Sequence, residues 1–277
     1  MDKIRRNERM SAMMKILAAK PNRIFTLSYF CDLFGSAKST MSEDIDILRD
    51  VVAHFGLGEL ETVTGAAGGV RYRTKVRRPE ARKFIGDLCQ QLSEEGRVLP
   101  GGFLYYSDIL STPEIVTRMG EIMATEYYAA APDFVLTMET KGIPVAFATA
   151  NALGVPLVIA RRSSKVYEGS AVNINYVSGS SGHIETMSLS RRAVQEGQKC
   201  LIVDDFLKGG GTAKGMVDLM REFNVDVVGM TFVMSTAKPV KKRVMGEKSL
   251  MVMDIDQEHE TVLVKPCLLY TSDAADD

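Results

Sequence analysis

Lys199-Cys-Leu-Ile-Val-Asp-Asp-Phe-Leu-Lys-Gly-Gly-Gly-Thr212 is the stretch whose reading decides the fold. Leu201, Ile202 and Val203 form a short apolar run, two carboxylates follow at once, and three glycines and a threonine come next. Met216, Leu219, Met220 and Phe223 then recur at helical spacing. This order predicts a buried parallel strand ending at Val203, a loop and a helix. Asp204 and Asp205 then stand at the strand's carboxyl edge, where open α/β sheets bind ligands. Gly209, Gly210 and Gly211 permit a tight turn and a close approach of backbone to ligand. The N–H groups that open the helix offer a site for phosphate, and adjacent carboxylates can accept hydrogen bonds from a ribose diol. A glycine-rich turn with two solvated aspartates explains each feature singly, but not their fixed order.

The surrounding chain alternates in the same manner. A helix is marked by Ile115, Val116, Met119, Ile122 and Met123. A strand over 134–138, a helix over 145–153 and a strand over 156–160 follow, and 225–234 and 250–255 supply further strands. Such alternation predicts a mainly parallel sheet with crossover helices. Thr140, Lys141 and Gly142 lie in a second strand-to-helix loop, which presents backbone N–H groups and a lysine to an anion. Segments 170–177 and 184–189 read as an antiparallel arm, 97–106 as a loop and short strand whose aromatics are expected to pack in a core or interface rather than cover a ligand, and 238–243 as a solvated linker.

Upstream, Met10, Met13, Met14, Leu17 and Ala18 repeat at helical spacing after Asn7, a candidate N-cap, and Pro21 ends the run. Thr26 caps a second helix, 27–34, with Leu27, Phe30, Leu33 and Phe34 on one face. Gly35 breaks it, and Ser36 caps a third helix reaching His54, with Met41, Ile45, Leu48, Val51 and Val52 inward. This is a helix-turn-helix. Ser36, Lys38, Ser39, Thr40 and Ser42 crowd the start of the third helix, the part of a recognition helix that enters the major groove. Residues 60–73 read as a hairpin around a glycine-rich turn, with Arg71, Arg73 and Lys75 alternating onto one face. Helical triplet and basic hairpin together predict a winged helix that binds double-stranded DNA. Arg77-Arg78-Pro79 marks a boundary, so the expected organisation is 1–78 and 79–265.

Totals agree with this division. Net charge is −1, but residues 1–78 hold 14 Lys and Arg against 9 Asp and Glu, a net of +5, while the remainder holds 20 against 26, a net of −6. A polyanion-binding module joined to an acidic body is expected. The four cysteines are far apart and away from the three histidines, so neither a metal site nor a disulfide framework is expected. No segment has a signal-peptide core or membrane-spanning length, which predicts a cytoplasmic protein. Residues 266–277 carry no periodicity tied to the fold, resemble appended read-through sequence and are set apart from it.

Asp204, Asp205, Gly211 and Thr212 resemble the diphosphoribose signature of type I phosphoribosyltransferases. Gly209 departs from it, since those enzymes usually carry Thr or Ser there, and Lys208 precedes it instead. Backbone phosphate binding survives that change; catalysis is not expected to. Over about 1–265 the chain resembles the purine operon repressor family of Gram-positive bacteria. The resemblance rests on Ser36-Ala-Lys-Ser-Thr-Met-Ser-Glu-Asp44, Gly65-Ala-Ala-Gly-Gly-Val70, Leu99-Pro-Gly-Gly102, Thr140-Lys-Gly-Ile-Pro144, Asn173-Ile-Asn-Tyr-Val-Ser-Gly-Ser-Ser181, and Asp204-Asp-Phe206 with Lys208. It implies a homodimeric repressor of purine synthesis and transport genes, induced by phosphoribosyl diphosphate (PRPP), with a guanosine polyphosphate competing at the same site. The Lys141 loop would take the diphosphate, Asp204 and Asp205 the sugar, and Lys208 to Thr212 the remaining phosphate, with Mg2+ bridging diphosphate oxygens. Lys165 and Tyr167 fall where phosphoribosyltransferases carry a mobile loop that closes over the diphosphate. The alternative is an active purine phosphoribosyltransferase with an accessory N-terminal domain.

Overall fold

The computed structural model describes residues 4–65, 68–94, 96–99, 103–163, 169–178, 182–256 and 261–267. The chain divides into two compact units, 1–77 with 151–154, and 78–150 with 155–277.

The first unit has α1 (Arg6–Ala19), α2 (Leu27–Phe34), α3 (Lys38–His54) and an antiparallel hairpin of β1 (Glu59–Val63) and β2 (Gly69–Arg73). This is a winged helix. Thr26 caps α2 as its sequence predicts, its hydroxyl accepting from the Tyr29 N–H, and Gly35 ends it in the left-handed conformation (φ 59°). Both signals are local, and so survive tertiary context. Two other expected caps are corrected. α1 begins one residue before Asn7, because the Glu8 carboxylate reaches back to the Arg5 backbone N–H at 2.8 Å. Ser36 lies outside α3 and turns its hydroxyl to the Phe34 carbonyl, leaving Ala37 as the uncapped N-cap.

Met13, Leu17, Phe30, Met41, Ile45, Leu48, Leu60, Val70 and Tyr72 fill the core of this unit. Leu33 and Val51, expected inward, are 43% and 40% exposed. Phe25 and Val70 exchange two backbone hydrogen bonds, stitching the entry of α2 to the wing. A Cβ on Gly69 would come within 2.1 Å of the Phe25 carbonyl, so that stitch requires glycine. Asp44 is wholly buried on α3 and accepts from Arg9 Nε of α1 at 2.9 Å. Arg6 Nε stands 3.1 Å from its other oxygen.

The second unit begins with α4 (Arg78–Leu92), the two-residue strands β3 (Val98–Leu99) and β4 (Phe103–Leu104), α5 (Ser107–Ser111) and α6 (Pro113–Tyr127). β5 (Phe134–Met138), α7 (Ile143–Leu153) and β6 (Leu157–Ala160) follow. The arm of β7 (Ala171–Val177) and β8 (Ile184–Ser190) then leads to β9 (Lys199–Leu207), α8 (Gly211–Glu222), β10 (Asp226–Thr236), β11 (Glu247–Asp256) and β12 (Thr261–Pro266). The central sheet has the order β12-β11-β10-β9-β5-β6, parallel except for β12, and β7 pairs with β8 separately.

From β5 the chain crosses through α7 to β6 on one side; from β9 it crosses through α8 to β10 on the other. The reversal falls between β5 and β9, a switch point of the kind at which open α/β sheets bind ligands. Strand β9 does not end at Val203, as its apolar run suggested, but continues to Leu207. Its pairing with β5 stops at Ile202, whereas its pairing with β10 runs on to Leu207. One-sided pairing keeps the backbone extended through both aspartates and opens a crevice beside them.

The C-terminal boundary also shifts. Pro266 pairs with Met251, and the Cys267 N–H donates to the Leu250 carbonyl, so the sheet continues past the limit expected at 265. Residues 268–277 lie outside the described residues.

Candidate ligand and nucleic-acid sites

The crevice at the switch point is a cavity of about 530 Å³. It gathers Thr140 and Lys141 from the β5–α7 loop, Asp204, Asp205 and Phe206 from the end of β9, and Lys208, Gly210, Gly211 and Thr212 from the loop opening α8. Gly142 packs beneath its floor. A Cβ there would fall 2.0 Å from Asp204 Oδ1 and 2.6 Å from Thr137 Oγ1, so glycine is what lets the lysine loop lie on the acid pair. Gly209 is in the loop but not on the lining. Lys165 and Tyr167 lie outside the described residues.

The two carboxylates differ. Asp204 is 7% exposed, and its Oδ1 accepts the Asp205 backbone N–H at 2.9 Å. Burial, reinforced by the Asp205 charge, raises its carboxyl well above the ordinary aspartate range. Asp205 accepts from the Tyr106 hydroxyl at 2.7 Å. The same tyrosine ring lies 4.9 Å from Lys141 Nζ and stacks on Phe206 with centroids 6.2 Å apart. Burial first, then the Asp205 charge, pushes the Tyr106 phenol up, so it stays a hydrogen-bond donor.

Tyr106, Arg162, Tyr176 and Glu185 line the cavity without having been singled out as ligand groups. Tyr176 and Glu185 are register partners across the arm, and the phenol donates to the carboxylate at 2.8 Å. The signal for that pair was their symmetric placement about the serine- and glycine-rich turn. Tyr106 offered no comparable signal, since its partner is 99 residues away.

In the winged helix, Lys38, Ser39 and Ser42 are exposed at the start of α3, while Ser36 and Thr40 are half-buried. Lys38 and Ser42 border a 460 Å³ groove shared with Thr26 and Ser28 of α2 and Thr62 and Thr64 of the wing. The wing cations share a face, but they are not free. Arg71 forms a bidentate bond to Glu61 at 2.8 and 3.0 Å, and Arg73 reaches the same carboxylate at 2.8 Å. Lys75 pairs with Glu59 at 3.2 Å. The Arg71 hydrogen bond holds the Glu61 carboxyl below its ordinary value, against a smaller effect of burial. The register explains the arrangement: Glu61 stands opposite Arg71 and Glu59 opposite Arg73.

A mainly parallel sheet, a switch-point crevice, a glycine-rich loop after two acids and a lysine loop facing them define a domain of the phosphoribosyltransferase type. Residues 106–271 match the phosphoribosyl transferase domain family, and residues 5–74 match the N-terminal domain of the bacterial purine repressor. Adenine phosphoribosyltransferase from Thermoanaerobacter pseudethanolicus superposes with a TM-score of 0.52 at 22% identity, over 60% of this chain and 98% of that one, a likeness of fold.

Two relatives carry both domains' length. The purine biosynthesis transcriptional repressor PurR of Bacillus subtilis is 44% identical over 88% of this chain and 86% of its own. The purine biosynthesis transcriptional activator PurR of Lactococcus lactis is 39% identical over 91% and 93%. The chain belongs to the PurR family of purine biosynthesis transcriptional regulators.

Proposed function

We propose that this protein is a DNA-binding repressor of purine synthesis and transport genes, which releases its operator when PRPP occupies the switch-point cavity. The observation that carries the reading is the convergence, in a chain that also holds a winged helix, of Lys141, the Asp204–Asp205 pair and the Lys208–Thr212 loop on one cavity. The chemistry of these groups, a lysine, two carboxylates and a loop of backbone N–H groups ending in a threonine hydroxyl, suits a diphosphate, a ribose diol and a 5′-phosphate. A guanosine polyphosphate offers the same groups and would compete there. Magnesium, a hard cation that takes oxygen ligands, would accompany the diphosphate and offset its charge.

Gly209 takes the place of a hydroxyl, which supports a site that binds PRPP without consuming it. We place the DNA contacts on Ser36, Lys38, Ser39, Thr40 and Ser42, with Arg71, Arg73 and Lys75 flanking them. The protein acts in the cytoplasm as a homodimer on a two-fold operator.

PRPP can weaken DNA binding only through a difference in its affinity for the DNA-bound and free states. Operator binding by the full chain at fixed salt, with and without PRPP, tests this. Release at rising PRPP is expected; indifference to PRPP sinks the sensor role. Mixing protein, PRPP, magnesium and each purine base tests the alternative. Turnover on the order of 1 to 1,000 per second would make the protein an enzyme. The same operator placed before a reporter gene gives the sign of control, since the L. lactis relative is named an activator.

The wing yields a second expected result. The single Glu61 carboxylate engages both Arg71 and Arg73. Glu61→Gln should therefore raise non-specific DNA affinity and steepen its salt dependence by about one to two phosphate equivalents, each near −0.9 in the log–log slope. An unchanged slope would mean that neither arginine reaches phosphate.

A further inference from the structure

Residues 238–243 read as a solvated linker, and most of them are exposed, but Lys242 is half-buried. Its ammonium donates to three oxygens: the Lys208 carbonyl at 2.6 Å, the Thr236 carbonyl at 2.8 Å and the Thr236 hydroxyl at 3.0 Å. One residue on, the Arg243 N–H donates to the Gly209 carbonyl at 3.0 Å. A stretch far from the cavity in sequence therefore grips two successive carbonyls of the glycine-rich loop.

The peptide unit converts that grip into an orientation. In a trans peptide the carbonyl of one residue and the N–H of the next point in opposite directions. With the Lys208 and Gly209 carbonyls held toward 242–243, the Gly209 and Gly210 N–H groups turn away from that segment. Neither N–H donates a hydrogen bond among the described residues. The cavity lining includes Lys208, Gly210, Gly211 and Thr212 but nothing from 236–243, so this segment lies behind the loop. Gly210 is left-handed (φ 78°), and a Cβ on it would come within 3.1 Å of the Arg243 nitrogen. Successive free N–H groups at such a bend form an anion-binding concavity.

We propose that Lys242 is a positioning residue for the phosphate cradle: it makes no contact with ligand, and by holding the Lys208 carbonyl it aims the loop's N–H groups at a phosphate monoester. The inference rests on the sensor reading above and adds to it the residue that preorganises one of its subsites. Because Lys242 acts behind the Lys208–Thr212 loop and not behind the Lys141 loop, its effect is confined to ligands with a sugar phosphate.

The test is calorimetric titration of the full chain with PRPP, ribose 5-phosphate and pyrophosphate, using Lys242→Met, Lys242→Gln and Lys241→Met. Losing a charged donor to the loop should weaken PRPP and ribose 5-phosphate about tenfold in Lys242→Met. Pyrophosphate, held by the Lys141 loop, should keep its wild-type affinity. Lys242→Gln retains two N–H donors and should recover part of the loss. Lys241→Met removes the same charge from an exposed neighbour and should change nothing.

Wild-type ribose 5-phosphate affinity in Lys242→Met overturns the proposal. So does an equal loss in Lys241→Met, which would assign the effect to general charge, or an equal loss for pyrophosphate, which would assign it to the whole domain. Should Lys242→Met fail to fold, Lys242→Gln is judged by the same ratio of ribose 5-phosphate to pyrophosphate affinity. A wild-type chain that binds no PRPP refutes the sensor reading itself, an outcome distinct from a wild type that binds and a Lys242→Met variant that binds equally well.

Discussion

Asp44→Ala is expected to destabilise the winged helix by about 3–5 kcal/mol, the usual cost of removing one partner from a buried ion pair. Asp44 is wholly buried and Arg9 is 7% exposed, so the guanidinium left behind cannot hydrate without parting α1 from α3. Arg9 keeps a second bond, to the Ile4 carbonyl, but that neutral acceptor does not balance its charge. Arg6 is half-exposed and can turn to Glu43, which it already touches at 2.8 Å, so its loss is small. Urea unfolding of the full chain, followed by a signal from residues 1–77, measures the change. A shift below about 1 kcal/mol, the range of an exposed pair, would mean that water reaches the pair. The double variant Arg9→Met with Asp44→Leu should restore most of the stability, because apolar replacement of a whole buried pair is often neutral.

Asp204→Asn is expected to separate stability from sensing. The Asp204 carboxyl is raised in the folded protein, so over the interval between its ordinary value and its folded value the native state binds the proton more tightly. Stability therefore falls as pH rises through that interval, and the penalty persists above it. Asparagine has no charge to bury and should raise the melting temperature of the unliganded protein at neutral and alkaline pH, with little change in acid. The same substitution removes an acceptor for the ribose diol. Losing charge-assisted hydrogen bonds should weaken PRPP about 100-fold and leave operator binding insensitive to it. A variant that melts higher and still releases DNA normally with PRPP would move the sugar contact elsewhere.

What was legible in the sequence is what is decided locally. Thr26, Gly35, the 134–138 strand and the glycine loop each carry their own signal within a few residues. The switch point does not, since it depends on β9 lying beside β5, a spatial order that the succession of strands and helices along the chain leaves open. The errors share a different cause. Strand β9 runs past its apolar core because β10 continues to pair with it, which no run of Leu, Ile and Val reports. Asp44 falls on the buried stripe of α3 with Met41, Ile45 and Leu48, and the partner that lets a charge stand there, Arg9, is 35 residues away on α1. Tyr106 and Lys242 find their partners 99 and 34 residues away. The wing was read as a basic face because Arg71, Arg73 and Lys75 alternate, while Glu59 and Glu61, which alternate equally, stand across from them.

Strand β12 bears on the order in which the sheet can be completed during synthesis. It is the one antiparallel strand of the central sheet, and it covers the outer edge of β11, whose Leu250, Met251 and Met253 are buried. Parallel strands β9, β10 and β11 can assemble as they leave the ribosome, but until Thr261–Pro266 emerges the β11 backbone presents an open, apolar rim. Such a rim is a template for another chain. Strand β12 thus shields the β11 edge, and a nascent or prematurely stopped chain lacking it would expose that edge to pairing with another chain.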